Sequence, residues 1–260
     1  MAFCCAIMTL YALERTNNMK KLNRIKPLGK GHQITWWVCR FLLFVWGVWG
    51  MMHGYTSEFI QAVFAIIFTH LWDMFQLFGG RSFITKYPAY MQTMLNCFIC
   101  FGCVVGTTLN TRTDFTGIDL PEHMFAGYLA CTGAFVLSEI MQGEKHPIKI
   151  SVQALFSLGF SVSILVGWEF YEFTMDRLYG FTMQHGQSPY SYGLTDTMID
   201  LIVGTVGGLI AMFVEAFRRV GIIGGKDRHI RREKYKAERA EVKKEKMRQK
   251  ALEEGSLGEV

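Results

Sequence analysis

Six apolar stretches, separated by short polar connections, occupy most of the chain between residues 34 and 217. They are Ile34–Gly50, Phe59–Phe78, Ala89–Leu109, Pro121–Gln142, Ile150–Phe173 and Thr195–Phe217. A hydrocarbon core about 30 Å thick needs roughly 20 apolar residues at 1.5 Å each. The stretches have that length, the first being short. An open chain in lipid satisfies its backbone only as helix. The pattern therefore predicts an all-α, polytopic membrane helix bundle of about six transmembrane helices. Trp36, Trp37, Trp46 and Trp49 stand at the two ends of the first stretch, like an interfacial aromatic belt. Pro121 suits the first turn of a helix, where its missing N–H is not needed.

Lysine and arginine set the expected orientation. Arg15, Lys20, Lys21, Arg24, Lys26 and Lys30 precede the first stretch. The first connection has no basic residue, the second Arg81 and Lys86, and the third Arg112. The fourth has Lys145 and Lys149, and the fifth Arg177. This alternation puts both termini in the cytoplasm.

Composition agrees with a bilayer. Half of the residues (50%) are hydrophobic, 14% are aromatic and 19% are charged. That balance excludes a disordered chain, a disulfide-stapled secreted domain and an ordinary soluble enzyme. The net charge of +5 belongs to the end of the chain, where residues 218–260 hold 14 of 27 Lys and Arg and 8 of 22 Asp and Glu. The expected layout is an N-terminal cytoplasmic or interfacial segment (1–33), a six-helix transmembrane domain (34–217) and a basic cytoplasmic tail (218–260). Membrane lipids are the first expected partner. The tail alternates in charge, which argues against nucleic acid and for a solvated helix. Anionic lipid heads at Arg218, Arg219, Arg231 and Arg232, or a cytosolic protein, are its alternative partners, and a homo-oligomer is left open. Residues 1–13 are apolar but too short to span, and no basic n-region marks a cleaved signal peptide. They read as an interfacial helix or, by preference, as residues ahead of a start at Met19-Lys20-Lys21.

Seven cysteines are present: Cys4, Cys5, Cys39, Cys97, Cys100, Cys103 and Cys131. None falls in an expected outer loop, so no disulfide framework is predicted. The C-x-x-C-x-x-C run from Cys97 hints at a metal centre. Steps of three drift around one broad helix face, however, and small packing residues are the preferred reading.

Ionisable residues inside spans are costly, about 2.5–3.5 kcal/mol for Asp at mid-membrane, and they form two groups. The outer group comes from three helices. Asp119 and His123 open the fourth, Glu169 and Glu172 share a face (i,i+3) at the end of the fifth, and Asp196 and Asp200 (i,i+4) open the sixth. Asp176 lies one turn beyond Glu172. So many carboxylates with almost no local Lys or Arg require shared protons or a cation. Oxygen donors with one imidazole suit Mg²⁺, Mn²⁺ or Ca²⁺, or Zn²⁺ at four ligands. Helix capping by Asp196 is the plainer alternative. The inner group is Arg40, His70, Asp73 and Glu139. An ion pair of Arg40 with Asp73 or Glu139 is the preferred reading there, with an ion relay as the alternative. Gly204 and Gly208 make a small-x-x-x-small step on the sixth stretch. No P-loop, G-x-S-x-G or H-E-x-x-H motif occurs.

The D-x-x-x-H start, the W-E-x-x-E end and the D-T-x-x-D start resemble the YjdF-type family of small multi-spanning bacterial inner-membrane proteins. A looser similarity is to VanZ-like proteins, although Leu120 stands where those carry Lys. The resemblance covers about residues 36–217. It implies a bacterial cytoplasmic membrane and carries Asp119, His123, Glu169, Glu172, Asp196 and Asp200 as the implicated positions. The leading expectation is an outward-facing divalent-cation site with Glu169, Glu172, Asp196 and Asp200 as ligands. His123 would be a ligand or general base, oriented by Asp119. If this is an enzyme, metal-assisted hydrolysis or transfer on a lipid-linked or phosphorylated envelope substrate fits best. The alternatives are an ion-coupled permease and a non-catalytic membrane scaffold.

Overall fold

The computed structural model describes residues 28–77, 86–112, 118–143, 148–180, 183–184 and 192–256. The apolar segment 1–13, Cys4, Cys5, the basic residues before Lys30, Arg81 and Lys145 lie outside them. Among the described residues every regular element is helical. The chain packs as two compact units, Met1–Glu122 and His123–Val260.

In the first unit, helix α1 (Lys30–Met52) buries Trp36, Cys39, Arg40, Leu43, Trp46, Gly47 and Gly50 at helical spacing. Ile34, Trp37, Phe41 and Phe44 stay exposed on its other side, which only lipid makes favourable. Two tryptophans of the expected belt are thus core residues. Trp36 Nε1 donates to Thr93 Oγ1 (2.7 Å) and Trp46 Nε1 to Thr108 Oγ1 (3.0 Å). Gly47 lets α1 approach α2 (Thr56–Thr69), since a Cβ there would sit 2.6 Å from Ala62 Cβ.

The second apolar stretch is not one helix. Helix α2 ends at Thr69 and a short α3 (Leu71–Leu77) follows His70. At the break, Arg40 Nη2 takes the carbonyl of Thr69 (2.5 Å), and His70 Nδ1 lies 2.7 Å from Ile66 O. The third stretch is α4 (Ala89–Phe101), a π-helical turn (Gly102–Thr107) and α5 (Thr108–Arg112). Cys39 and Cys100 pack with Leu43 and Ala65 in the core of this unit, and the five described cysteines are all free thiols.

Helix α6 (Asp119–Gln142) starts with the last residues of the first unit and runs on unbroken as the first helix of the second. Helices α7 (Ile150–Tyr179) and α8 (Tyr192–Val220) complete the apolar part. Among the described residues five helical segments are long and apolar enough to cross a membrane: α1, α4 with its π turn, α6, α7 and α8. Helix α2 is apolar but shorter. A turn at Gly221 (φ 77°) leads to the tail helix α9 (Arg228–Ser256). A Cβ at Gly221 would lie 2.7 Å from Arg232 N, so glycine is needed for space as well as for its φ. Arg219 Nη2 reaches Glu238 Oε2 on the tail at 3.7 Å. Further along, Lys236 donates to Glu233 (2.9 Å), and this bond holds the exposed Glu233 carboxyl below its usual pKa.

Candidate acid–histidine centre

Local sequence explains how α6, α7 and α8 deliver their polar tips. Asp119 and His123 are one turn apart in the first turns of α6, where acids favour the helix dipole. Glu169 and Glu172 belong to the buried face of α7, together with Leu165. Asp200 lies two turns into α8 and is almost fully buried. Helix α7 then stops at Gly180, a left-handed C-cap. Asp176 holds the following loop by accepting from Met183 N (2.8 Å) and Gln184 N (3.0 Å). Gln184 Nε2 in turn donates to Thr197 Oγ1 in α8 (2.9 Å).

His123 is the hub. Its Nδ1 lies 3.9 Å from Glu169 Oε1 and its Nε2 lies 3.9 Å from Asp200 Oδ2. All three side chains are at least nine-tenths buried. The imidazole is thus bracketed by acids from two other helices. These separations exceed a direct hydrogen bond. The Nε2–Asp200 separation matches two donors around one ion, because ligands about 2.1 Å from a metal stand about 3–4.2 Å from each other, whereas Glu169 lies by the ring's other nitrogen. Asp119, His123 and Asp200 each offer one ligand atom, and the three atoms lie within 4.8 Å of one another. Glu172 and Asp196 are not in that group. Glu172 is buried and accepts from Trp168 Nε1 (2.8 Å), while Asp196 is half-buried in the first turns of α8.

Backbone packing fixes the site. A Cβ on Gly127 would lie 1.9 Å from Gly204 O, and one on Gly207 would lie 1.9 Å from Met124 O. Helices α6 and α8 therefore meet backbone to backbone immediately below His123 and Asp200. Ser161 of α7 donates to Gly127 O (2.8 Å) and ties the third helix in.

The other expected group divides between the two units. Arg40 Nη2 lies 2.6 Å from Asp73 Oδ2, and the guanidinium stands over Trp36 (5.7 Å) and Trp37 (5.5 Å). Glu139 is an exposed residue of the second unit, 3.4 Å from Gln153 Nε2. One pair escaped the sequence reading. Glu58, fully buried at the start of α2, pairs with Arg112, which stacks on Tyr55 (3.4 Å to the ring centroid). A signal for it existed, since the first and third connections were expected on one side and Arg112 was the sole base there.

A bilayer protein with this core has known relatives at the level of family. The chain belongs to the DUF2238 family of predicted membrane proteins. The family model matches residues 32–220, which takes in the acid–histidine centre and both of the other charged pairs. This agrees with the YjdF-type resemblance. No curated protein and no solved structure matches the chain. The DUF2238 match ends at the last residue of α8, so α9 lies outside it.

Proposed function

We propose that this protein is a multi-pass membrane protein whose acid–histidine centre binds one divalent cation. The carrying observation is the meeting of Asp119, His123 and Asp200 within 4.8 Å of one another. Asp119, His123 Nε2 and Asp200 are the ligands in this reading. Glu169 faces the other imidazole nitrogen at 3.9 Å, where its negative charge favours a proton on Nδ1 and leaves Nε2 free to ligate. Glu172 and Asp196 supply negative field rather than ligation. Two carboxylates and one imidazole suit Mn²⁺, Mg²⁺ or Zn²⁺. Three protein ligands leave coordination positions open, the pattern of a catalytic rather than a structural metal site. The open positions favour metal-assisted hydrolysis or transfer on a lipid-linked or phosphorylated envelope substrate, with the metal supplying Lewis-acid polarisation. The distribution of Lys and Arg supports a site on the outer side of a cytoplasmic membrane, with both termini inside.

Purified full-length protein tests this. Mn²⁺ or Zn²⁺ at 100 times its dissociation constant should stabilise the fold by about 2.7 kcal/mol, and chelator should reverse the gain. His123→Gln and Asp200→Asn should each abolish the gain. An unchanged unfolding temperature at saturating metal removes the proposal. The bracketing of His123 by two buried acids supports a second reading, an ion-coupled permease in which the imidazole shares a proton with the acids. That reading expects no bound metal by elemental analysis, with uptake lost in the same variants.

A further inference from the structure

We propose that one side of the tail helix α9 is a docking surface for the anionic headgroups of the membrane that α8 enters. The charges of α9 alternate along the sequence but separate around the helix. At about 100° per residue, Arg232, Lys236, Arg239, Lys243, Lys246 and Lys250 fall within an arc of about 80°. Steps of four and three alternate between them, so the stripe runs straight along the helix for about 27 Å. Between residues 227 and 250 no acid falls inside that arc, and the other five bases and the five acids cancel. The excess charge of the tail therefore stands on one side of α9.

Packing leaves that side open. Arg231, Tyr235 and Glu238, on one face at i, i+4 and i+7, are the half-buried residues of α9, and all six stripe residues are exposed. The stripe lies about 90° around the helix from this packed face. Three of the arginines first considered for lipid contact are used inside the fold. Arg218 Nη1 donates to Glu215 Oε1 (3.4 Å), Arg219 Nη2 to Ile148 O (2.8 Å), and Arg231 to the carbonyl of Gly224. Arg232 alone of the four belongs to the stripe. Within the stripe, Lys236 donates to Glu233 (2.9 Å) and Arg239 lies over Tyr235 (5.9 Å to the ring centroid), both on the helix surface.

The stripe begins where the membrane ends. Helix α8 is long and apolar enough to cross, and it stops at Val220. Phe217, Ile222 and Ile223 are exposed around its end, which suits a bilayer interface better than water. Arg228 Nε donates to Gly221 O (3.1 Å), and a Cβ on Gly221 would lie 2.7 Å from the Arg232 Cβ. Glu238, further along α9, still meets Arg219, which precedes Gly221 in the chain (3.7 Å). Helix α9 therefore runs beside the end of α8 and does not lead straight away from it. An anionic bilayer attracts Lys and Arg held this close to a span. Their long stems let the charged heads reach the phosphates.

Charge complementarity favours a flat anionic surface over other occupants. Such a surface meets the stripe alone, while Glu241 and Glu245, on the far side of the helix, stay in water. A second copy would need an apolar seam. Val242, Met247 and Leu252, the large exposed apolar residues beyond Glu238, fall on three different sides of α9 instead. The docking surface does not depend on a cation in the acid–histidine centre.

The test uses full-length protein in nanodiscs of phosphatidylcholine alone or of equal parts phosphatidylcholine and phosphatidylglycerol. Chymotrypsin cutting after Tyr235, Met247 and Leu252 is timed by mass spectrometry. Cutting should be about tenfold slower in the anionic discs at low salt, and high salt should remove the difference. Arg239→Gln with Lys243→Gln and Lys246→Gln should bring the rate to within about twofold of that in neutral discs. Lys234→Gln with Lys244→Gln and Arg248→Gln removes as many charges from other sides of α9 and should keep the protection. Glutamine preserves helix propensity, and the second variant guards against general damage to the helix. Equal wild-type rates in the two kinds of disc overturn the proposal. So does equal loss of protection in the two variants, which would make net charge alone responsible. Slowing in both lipids only in discs that hold two copies would assign the surface to self-association. Slowing by added RNA without any effect of lipid would assign it to nucleic acid. Either outcome also overturns the proposal.

Discussion

At the scale of single residues, Arg40 shows how a charge is held inside an apolar helix. It is buried, and three kinds of contact surround it: the Asp73 carboxylate, the Thr69 carbonyl and the faces of Trp36 and Trp37. Asp73 is 41% exposed, so solvent screens the pair, and its own contribution is about 1 kcal/mol or less. The other contacts depend on the guanidinium alone. Asp73→Asn should therefore cost about 1 kcal/mol, and Arg40→Met about 3 kcal/mol, read by unfolding in micelles. Equal losses would show that only the ion pair counts. The sequence left Arg40 two partners at similar depth, Asp73 or Glu139, and it is Asp73 that stands beside the guanidinium. The geometry of the centre was only partly legible. Sequence spacing brings Asp119, His123, Glu169 and Asp200 to one end, but it does not tell which acid faces which nitrogen. That depends on helix rotation, and rotation is set by packing of Gly127 on Gly204.

At the scale of elements, apolar length predicted the helices well, because burial in lipid and backbone satisfaction impose the same requirement everywhere. The break at His70 was not visible. Phe59–Phe78 contains no proline, and no glycine stands near the break. The interruption comes from Arg40, a distant side chain that occupies the carbonyl which Asp73 N would use in a continuous helix. The π turn at Gly102–Thr107 had a faint sign in its two glycines. There Thr107 Oγ1 donates to Gln61 Oε1 (3.0 Å), a contact that no local pattern reveals. The glycines of α6 and α8 give the sharpest prediction at this scale. Gly127→Ala or Gly207→Ala drives a methyl into a backbone carbonyl at 1.9 Å, and no rotamer change relieves it. Either should prevent a monodisperse, metal-stabilised protein. On α7, Gly159 and Gly167 have nothing within 4 Å of a built Cβ. Gly159→Ala and Gly167→Ala should be neutral or stabilise by up to about 1 kcal/mol, as helix propensity requires. Size-exclusion profiles and unfolding temperatures of the four variants check this, and a well-behaved Gly127→Ala would refute backbone contact between α6 and α8.

At the scale of the whole molecule, the question is which way the chain threads the bilayer. The basic excess of residues 218–260 adjoins the end of α8 that carries Arg218 and Arg219. Positively charged segments close to a span are retained in the cytoplasm. On that rule the end of α8 that carries Asp196 and Asp200 is expected to point outward, with the acid–histidine centre, as the proposed function has it. Short apolar helices need not cross, and α2 has only 14 residues. The number of crossings is therefore decided by whether α2 and α3 together pass through. If they do, Lys30 and Arg219 lie on the same side. A C-terminal fluorescent fusion should be bright, and an alkaline phosphatase fusion after Gly54 should be active. A second phosphatase fusion, after Lys149, should be inactive. Activity at Lys149 with an inactive fusion after Gly54 would reverse the orientation and move the centre to the cytoplasmic face. Active fusions at both positions would mean that α2 and α3 do not cross together.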